Sequence, residues 1–451
     1  MATPSPKFRV AVCGGGIGGI VAAYALGRHP DIDVDIYEAA SQFGAIGAGI
    51  AVIQRSWTVL KMLGLEPALL PLIKTPPLDD IVPHIYAYKS DQPELGENFV
   101  TITSRGALLP FTLKTEFHQA LIGCLSQRVR THTSKRLVSY EETDSSEPIK
   151  LYFKDGSTAT CDILIGADGI KSIVRVSMYE KLSKEAAQQG DHARADELLD
   201  VMNAKYSGAT VYRTLIPGER LKAVSPDHRS FASPIHYLGK NHFTVTYPVA
   251  RGQFINAAIF ETDYSKEGQL YTDPWVSADI DSKSLITVFE NWESSTRELV
   301  ECIDGLTVSK WAVNVVPSLP TFVSSRVALL GDAAHAMTPF QGAGAGQAIE
   351  DAYILSTLLA HPFITRANIP IALEIYSRIR LPFAYMVFER SRRMGGYFSF
   401  YDPENPDMES RAWNLEELGK DMQKCADWQL ESALPKAEKD RAVNMLESEL
   451  S

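Results

Sequence analysis

Apolar and polar positions along this chain alternate with two periods, and the places where the period changes mark out the elements. Arg9 to Cys13 is a short β-branched run, and Asp33 to Tyr37 alternates apolar with acidic side chains, so both read as strands. Between them, after a glycine-rich turn, an Ala-rich stretch to Arg28 has the apolar spacing of a helix. Ser56 to Leu63 and Thr115 to Leu125 repeat the helical spacing, while Ile81–Tyr88, Phe99–Thr103, Leu151–Phe153 and Ile163–Ile165 read as strands. Tyr179 to Lys205 is charged and Ala-rich, the pattern of a solvated helical insertion. Short strands dominate Ala209 to Glu261, and Ile286 to Cys302 has helical spacing. Val327–Leu330 is a strand, and a long helix runs from about Gly344 to Leu359. From Ala372 onward the chain reads as helical and polar, with an aromatic patch at Tyr397–Tyr401.

Length and composition narrow the classes. A chain of 451 residues exceeds a single core, so two domains are expected. A net charge of −11 without a basic stripe argues against nucleic acid as a partner. The five cysteines are scattered without C-x-x-C spacing, which fits a reducing compartment and speaks against a disulfide framework or a zinc site; no metal-ligand cluster is present. No uncharged stretch reaches the roughly 18 apolar residues of a membrane span, and the short polar start lacks a signal peptide's regions. A soluble, cytoplasmic protein is expected.

Three motifs carry chemistry. In Gly14-Gly15-Gly16-Ile17-Gly18-Gly19, Gly14 permits a tight strand-to-helix turn, Gly16 lets backbone approach a pyrophosphate, and Gly19 lets helix and strand pack closely. The following helix start offers free N–H groups and a positive dipole end. Glu38 ends the next strand, where a carboxylate accepts from both ribose hydroxyls and repels a 2′-phosphate. The second motif runs from Cys161 through Gly166-Ala167-Asp168-Gly169 to Arg175, and by itself reads as a strand and a turn with Asp168 as a helix cap. The third is Gly331-Asp332-Ala333-Ala334-His335, continuing through Pro339 to Gly342-Ala343-Gly344-Ala345-Gly346 and Glu350-Asp351. Asp332 stands at the carboxyl end of a strand, where open α/β sheets bind ligands, and a short acceptor there suits a ribityl chain. Gly342, Gly344 and Ala345 expose backbone N–H groups at a helix start, which favours negative charge on a reduced flavin. His335 reads as a structural histidine.

In their order and separations these motifs resemble the single-component FAD-dependent aromatic hydroxylases of the p-hydroxybenzoate hydroxylase fold, and in particular fungal salicylate hydroxylase-like monooxygenases. The likeness runs from Arg9 to about Arg393. It implies a Rossmann-like βαβ FAD-binding domain (1–75, 104–180 and 321–370) interleaved with a mixed β-sheet substrate domain (76–103 and 206–320), plus C-terminal helices (371–451). It further implies that Glu38 holds the adenosine ribose, Asp332 the ribityl chain, and that Asp168 lies near FAD and a transient NADH or NADPH. Gly49 and Lys114 fall among the flavin contacts, Pro339 on the flavin's reacting face, and Arg213 and Tyr247 at the phenolate of a small aromatic substrate. The implied reaction is hydroxylation of a phenolic or hydroxybenzoate-type ring by oxygen activated at the flavin C4a position, with loss of carbon dioxide or of aromaticity as variants. A monomer or homodimer is expected.

Four positions depart from the family's usual residues. Lys114 replaces an Arg, Arg55 an Asn, Phe340 a His after Pro339, and Thr246 a His before Tyr247; all four are expected near the substrate cavity. Two other readings remain open: an oxidase or reductase on the same fold without oxygen insertion, and a non-catalytic flavin-binding interaction protein. A plain NAD-dependent dehydrogenase leaves the Asp332 region without a purpose.

Overall fold

The computed structural model describes residues 6–44, 50–73, 80–105, 109–111, 114–144, 147–278, 280–431 and 435–451. Among them, four parallel strands form the centre of one sheet, in the order Val327–Leu329, Ile163–Gly166, Phe8–Cys13 and Ile32–Tyr37. Val323–Ser324 pairs antiparallel at one edge, and Arg130–His132 parallel at the other. The central runs are apolar almost throughout because helices cover both faces of the sheet. On one face, the helices Ile17–Gly27 and Gly344–Leu359 pack so closely that a β-carbon on Gly18 would meet Leu330 at 2.7 Å and Ala348 at 3.0 Å.

A second sheet has eight described strands, ordered Val276–Ser277, Ser309–Val315, Lys205–Pro217, Phe254–Thr262, His242–Val249, Ile235–Gly239, Ile81–Lys89 and Asn98–Arg105. Its pairings are antiparallel except that of Ile235–Gly239 with Ile81–Lys89. Strict alternation gives it two apolar faces. One carries Tyr212, Ile216, Tyr237, Ala257 and Ile259 and packs on Leu285, Phe289, Trp292 and Leu299. The other carries Val211, Phe243, Ala258 and Phe260 and packs on Phe340, Met394 and Phe398 from the first domain and the C-terminal helices.

Three local expectations are corrected. Ile286–Cys302 is not one helix but parts of two, Ser282–Val288 and Ser294–Glu301. The break lets Phe289 and Trp292 turn into the core and points the buried Glu293 carboxylate at Gly96 N, Ser90 Oγ and Arg229. The charged insertion is likewise not one helix but two, the end of Ile173–Gln188 and His192–Val201; most of its residues face solvent, and Tyr179, Ser183, Ala195 and Leu198 anchor it. The C-terminal stretch is not polar throughout: the 30-residue helix Ile369–Phe398 buries Ala372, Leu373, Ile375, Tyr376 and Arg380 against the main core. Phe398 and Phe400 of the aromatic patch are core residues of the second sheet's inner face.

Candidate active site

Because Cys13, Tyr37, Gly166 and Leu329 are cross-strand neighbours in parallel strands, the segments that follow them emerge at one edge. This edge collects all three motifs and Glu38, at the carboxyl ends of the strands where such sheets bind ligands. Backbone bonds lock the segments together: Gly14 N to Tyr37 O (2.9 Å), Ala167 N to Cys13 O (2.8 Å) and Leu330 N to Gly166 O (3.0 Å).

The fingerprint glycines divide their roles as their spacing predicts. Gly14 has φ +113°, and a β-carbon there would lie 2.1 Å from Ala167 O; one on Gly19 would lie 2.1 Å from Gly14 O. Gly16 is exposed and has nothing within 4 Å of that position, which leaves open space for a phosphate at the helix start. The Glu38 carboxylate accepts from Gly15 N (2.8 Å) and Ala40 N (2.7 Å), so it is fixed beside the turn with acceptor capacity left over. His118, which sequence reasoning missed, supports the turn from below: its buried Nε2 lies 2.7 Å from Gly15 O.

Asp168 accepts from Ser172 Oγ, Ile173 N (2.8 Å) and Val174 N (3.2 Å), while Ser172 is the N-cap residue proper and accepts from Arg175 N. The capping reading of Asp168 therefore describes where its carboxylate points. Burial raises its pKa, and these hydrogen bonds oppose the rise. Buried Arg175 donates to Ile170 O and to Ala333 O (2.9 Å), which ties the second motif to the third.

Asp332 opens the short helix Asp332–His335 after Gly331, whose φ of +60° turns the chain. Its side chain is exposed and bonded to no described residue, and a β-carbon on Gly344 would lie 3.9 Å from its Oδ1. Pro339 and Gly342 are exposed, and Gly344 and Ala345 half-buried, at the start of Gly344–Leu359. Open phosphate space at Gly16, a free carboxylate at Asp332 and an accessible helix N-terminus line one edge. The residues present fit FAD. Gly49 lies outside the described residues, and of Lys114 only the backbone is described, at the start of the helix Lys114–Gly123.

The second sheet brings Arg213 and Tyr247 together. Arg213 pairs with Ala258, Ala258 with Val245, and Tyr247 with Asn256, so all five residues share the face that looks towards Phe340. Burial raises the pKa of the Tyr247 hydroxyl and the Arg213 charge pulls it back, so the guanidinium is close enough to act on it. Two of the departures, Thr246 and Arg55, occupy other places than expected. Thr246 points to the opposite face and is bonded to Ser230 Oγ at 2.8 Å, because neighbours in a strand alternate. Arg55 is buried in an ion cluster with Glu350 and Glu438 rather than open to a cavity. Phe340 does reach the seam between the domains, but buried, with its ring centroid 5.6 Å from Phe243 and 5.4 Å from Phe260.

His236 on the same inner face, and His84 near enough to act on its charge, are histidines that the sequence pattern did not mark. His236 is buried, stacks edge-on against Phe398 (4.8 Å), and leaves Nδ1 without a partner, as does His84. Burial pushes His236 down to about 3, with a smaller push from His84, and burial takes His84 down to about 4, against 6.5 unfolded. Below pH 6.5 the unfolded chain binds protons that the folded chain refuses. Stability is therefore full above pH 6.5 and falls as the pH drops towards 4. The loss is about 2 kcal/mol per histidine between pH 7 and 5. Urea unfolding at both pH values should show His236→Phe recovering about 2 kcal/mol of the parent's loss; equal losses in parent and variant would refute the buried neutral imidazole.

A cofactor edge that meets a second sheet across an aromatic seam defines a flavin-dependent oxidoreductase. A family model described as an NAD(P)-binding Rossmann-like domain matches residues 12–52, and one described as an FAD binding domain matches 272–391. The chain is 42% identical to FAD-dependent monooxygenase str9 of Strobilurus tenacellus, over 98% of this chain and 99% of that protein. It is 33% identical to a salicylate hydroxylase of Pseudomonas putida, over 89% and 88% of the two chains. The solved substrate complex of a salicylate hydroxylase superposes with a TM-score of 0.80 at 27% identity, covering 97% of this chain and 98% of that one. The chain belongs to the FAD-dependent monooxygenases, among their salicylate hydroxylase-like members. FAD is its cofactor, with NAD(P)H as the family's co-substrate.

Proposed function

We propose that this monooxygenase takes a phenolic or hydroxybenzoate-type substrate whose ionised ring oxygen sits between Arg213 and Tyr247. The observation that carries the reading is their common sheet face, with the Arg213 charge acting on the Tyr247 hydroxyl. Bound FAD supplies the activation of oxygen and the transfer of one oxygen atom to the ring. The chain's own contribution is to bind and orient. Arg213 presents a planar fork to an anionic oxygen, and Tyr247, kept protonated by burial, donates its O–H to the same oxygen. A phenolate directs attack to its ortho and para carbons, so holding the anion selects the reacting carbon. Phe340 and Pro339 close the flavin side against water.

On the cofactor, Gly14, Gly16 and Gly19 form the pyrophosphate turn, Glu38 holds the adenosine ribose and Asp332 the ribityl chain. The N–H groups at Gly342, Gly344 and Ala345 face the flavin's negative edge. Asp168, with its carboxylate spent on the helix start, shapes the backbone near the visiting NADH or NADPH. If the substrate carries a ring carboxylate, oxygen transfer to the carbon that bears it releases that carboxylate as carbon dioxide; the relatives include a salicylate hydroxylase and a 6-methylsalicylate 1-monooxygenase. A reducing, cytoplasmic setting fits the five free cysteines, and the protein acts as a monomer or homodimer.

The test is a panel of phenols and hydroxybenzoates scored for stimulated NADH and NADPH consumption, with products weighed under labelled oxygen gas. One labelled atom per product is expected. A product without label would leave an oxidase or reductase, and a panel without any stimulation would remove the phenolate reading.

A further inference from the structure

Behind the cofactor edge lies a largely buried set of charges drawn, among the described residues, from five helices. Arg55, on Gln54–Met62, grips Glu350 through Nε (2.9 and 3.0 Å) and Nη2 (2.8 Å), and the same Nη2 lies 2.8 Å from Glu438 Oε2. Arg380 binds Asp351 Oδ1 through Nε (2.8 Å), Glu350 through Nη1 (3.3 Å) and Gln347 Oε1 through Nη2 (2.6 Å), and lies 3.7 Å from Glu438. Asp351 Oδ2 in turn accepts from Gly331 N (2.9 Å) and sits 2.6 Å from His335 Nε2. Two guanidiniums and one imidazole thus face three carboxylates. All are buried except Glu438, whose side chain is 12% exposed.

Glu438 belongs to the last helix, Pro435–Leu450, which is also docked by buried Pro435, Ala442 and Leu446 and by ion pairs of Glu447 with His361 and Glu449 with Arg378. We propose that Glu438 and Arg55 are positioning residues of the flavin site, through which the last helix sets the Gly331–Asp332 turn and the start of Gly344–Leu359. The proposal rests on the reading of those two segments as flavin-facing. Its physical basis is charge sharing at low dielectric. Without the third carboxylate, Arg55 and Arg380 draw harder on Glu350 and Asp351, and Asp351 is the group that holds Gly331 N and His335. Apolar docking of the last helix does not depend on that charge.

The experiment titrates deflavinated protein with FAD and records the bound flavin's absorption. For Glu438→Gln, the FAD dissociation constant should rise about tenfold and the visible band should shift, while the melting temperature of the FAD-free protein stays close to the parent's. Lys436→Gln, an exposed change of charge on the same helix, should leave both readouts as in the parent. An FAD constant within about twofold of the parent's, with or without a lowered melting temperature, overturns the proposal. If Glu438→Gln does not accumulate as folded protein, Arg55→Lys serves instead, since it keeps the charge but loses the fork; unchanged FAD binding there overturns it equally. Full FAD retention by Asp332→Ala would remove the underlying reading, whereas loss in Asp332→Ala with none in Glu438→Gln would remove this proposal alone.

Discussion

Asp332→Ala is expected to purify nearly colourless, with an FAD dissociation constant raised about 30-fold or more. Its carboxylate is the exposed one at the strand ends, bonded to no described residue, so the folded protein spends none of its acceptor capacity internally. Hydrogen bonds from hydroxyls to a carboxylate are each worth about 1.5–3 kcal/mol, and roughly 1.4 kcal/mol is tenfold in affinity. The apo-protein should be as stable as the parent, because no internal bond is lost. Asp332→Asn, which keeps an acceptor but not the charge, should fall between the two. Full flavin content in Asp332→Ala, measured by absorbance against protein concentration, would refute the assignment.

The cofactor edge was legible in the sequence because its chemistry is local. Gly14, Gly16 and Gly19 are spaced by one turn, Glu38 ends the next strand, and Asp332 and Gly344 lie within one strand–helix connection; such features need only short-range geometry. Parallel pairing of Cys13 with Tyr37 and Gly166 then brings distant segments to one edge, a consequence of strand direction that a motif order can carry. The ion cluster was not legible, because Arg55, Glu350, Arg380 and Glu438 come from four helices up to several hundred positions apart and no periodicity links them. As a departure from the family's Asn, Arg55 points to the substrate in sequence alone, since only the packing of Gln54–Met62 on Gly344–Leu359 brings its partner to it; the same packing sets Ser56 against Gly346. Thr246 was misplaced for a simpler reason. In a strand adjacent residues face opposite ways, so Tyr247 at the inner face requires Thr246 at the outer one, once the strand His242–Val249 is known to be regular.

Arg213→Ala is expected to keep its FAD and lose substrate-stimulated NAD(P)H oxidation, with kcat/KM for a phenolic substrate lowered about 30- to 100-fold. Arg213 is half-buried in the strand Lys205–Pro217, and its described bond with a neighbouring strand is made by its backbone, Ser309 Oγ to Arg213 O at 3.3 Å. Truncating the side chain therefore leaves the sheet register intact, and among the described residues none of the second sheet is bonded to the Gly14–Gly19 turn or to Asp332. Losing the guanidinium also removes the one named pull that lowers the Tyr247 hydroxyl, so its pKa rises further and it remains a donor. A neutral donor alone cannot favour the ionised phenol, and the variant's rate should accordingly shift to higher pH, where the free substrate ionises without help. Arg213→Lys keeps a charge but presents no planar fork, and should recover part of the loss. Tyr247→Phe should cost less than Arg213→Ala, because it removes one uncharged donor to the phenolate rather than a full charge with its fork. Steady-state assays across pH with the best substrate of the panel decide the matter: unchanged kcat/KM in Arg213→Ala, or an unchanged pH profile, would place the substrate's anionic oxygen elsewhere on the sheet.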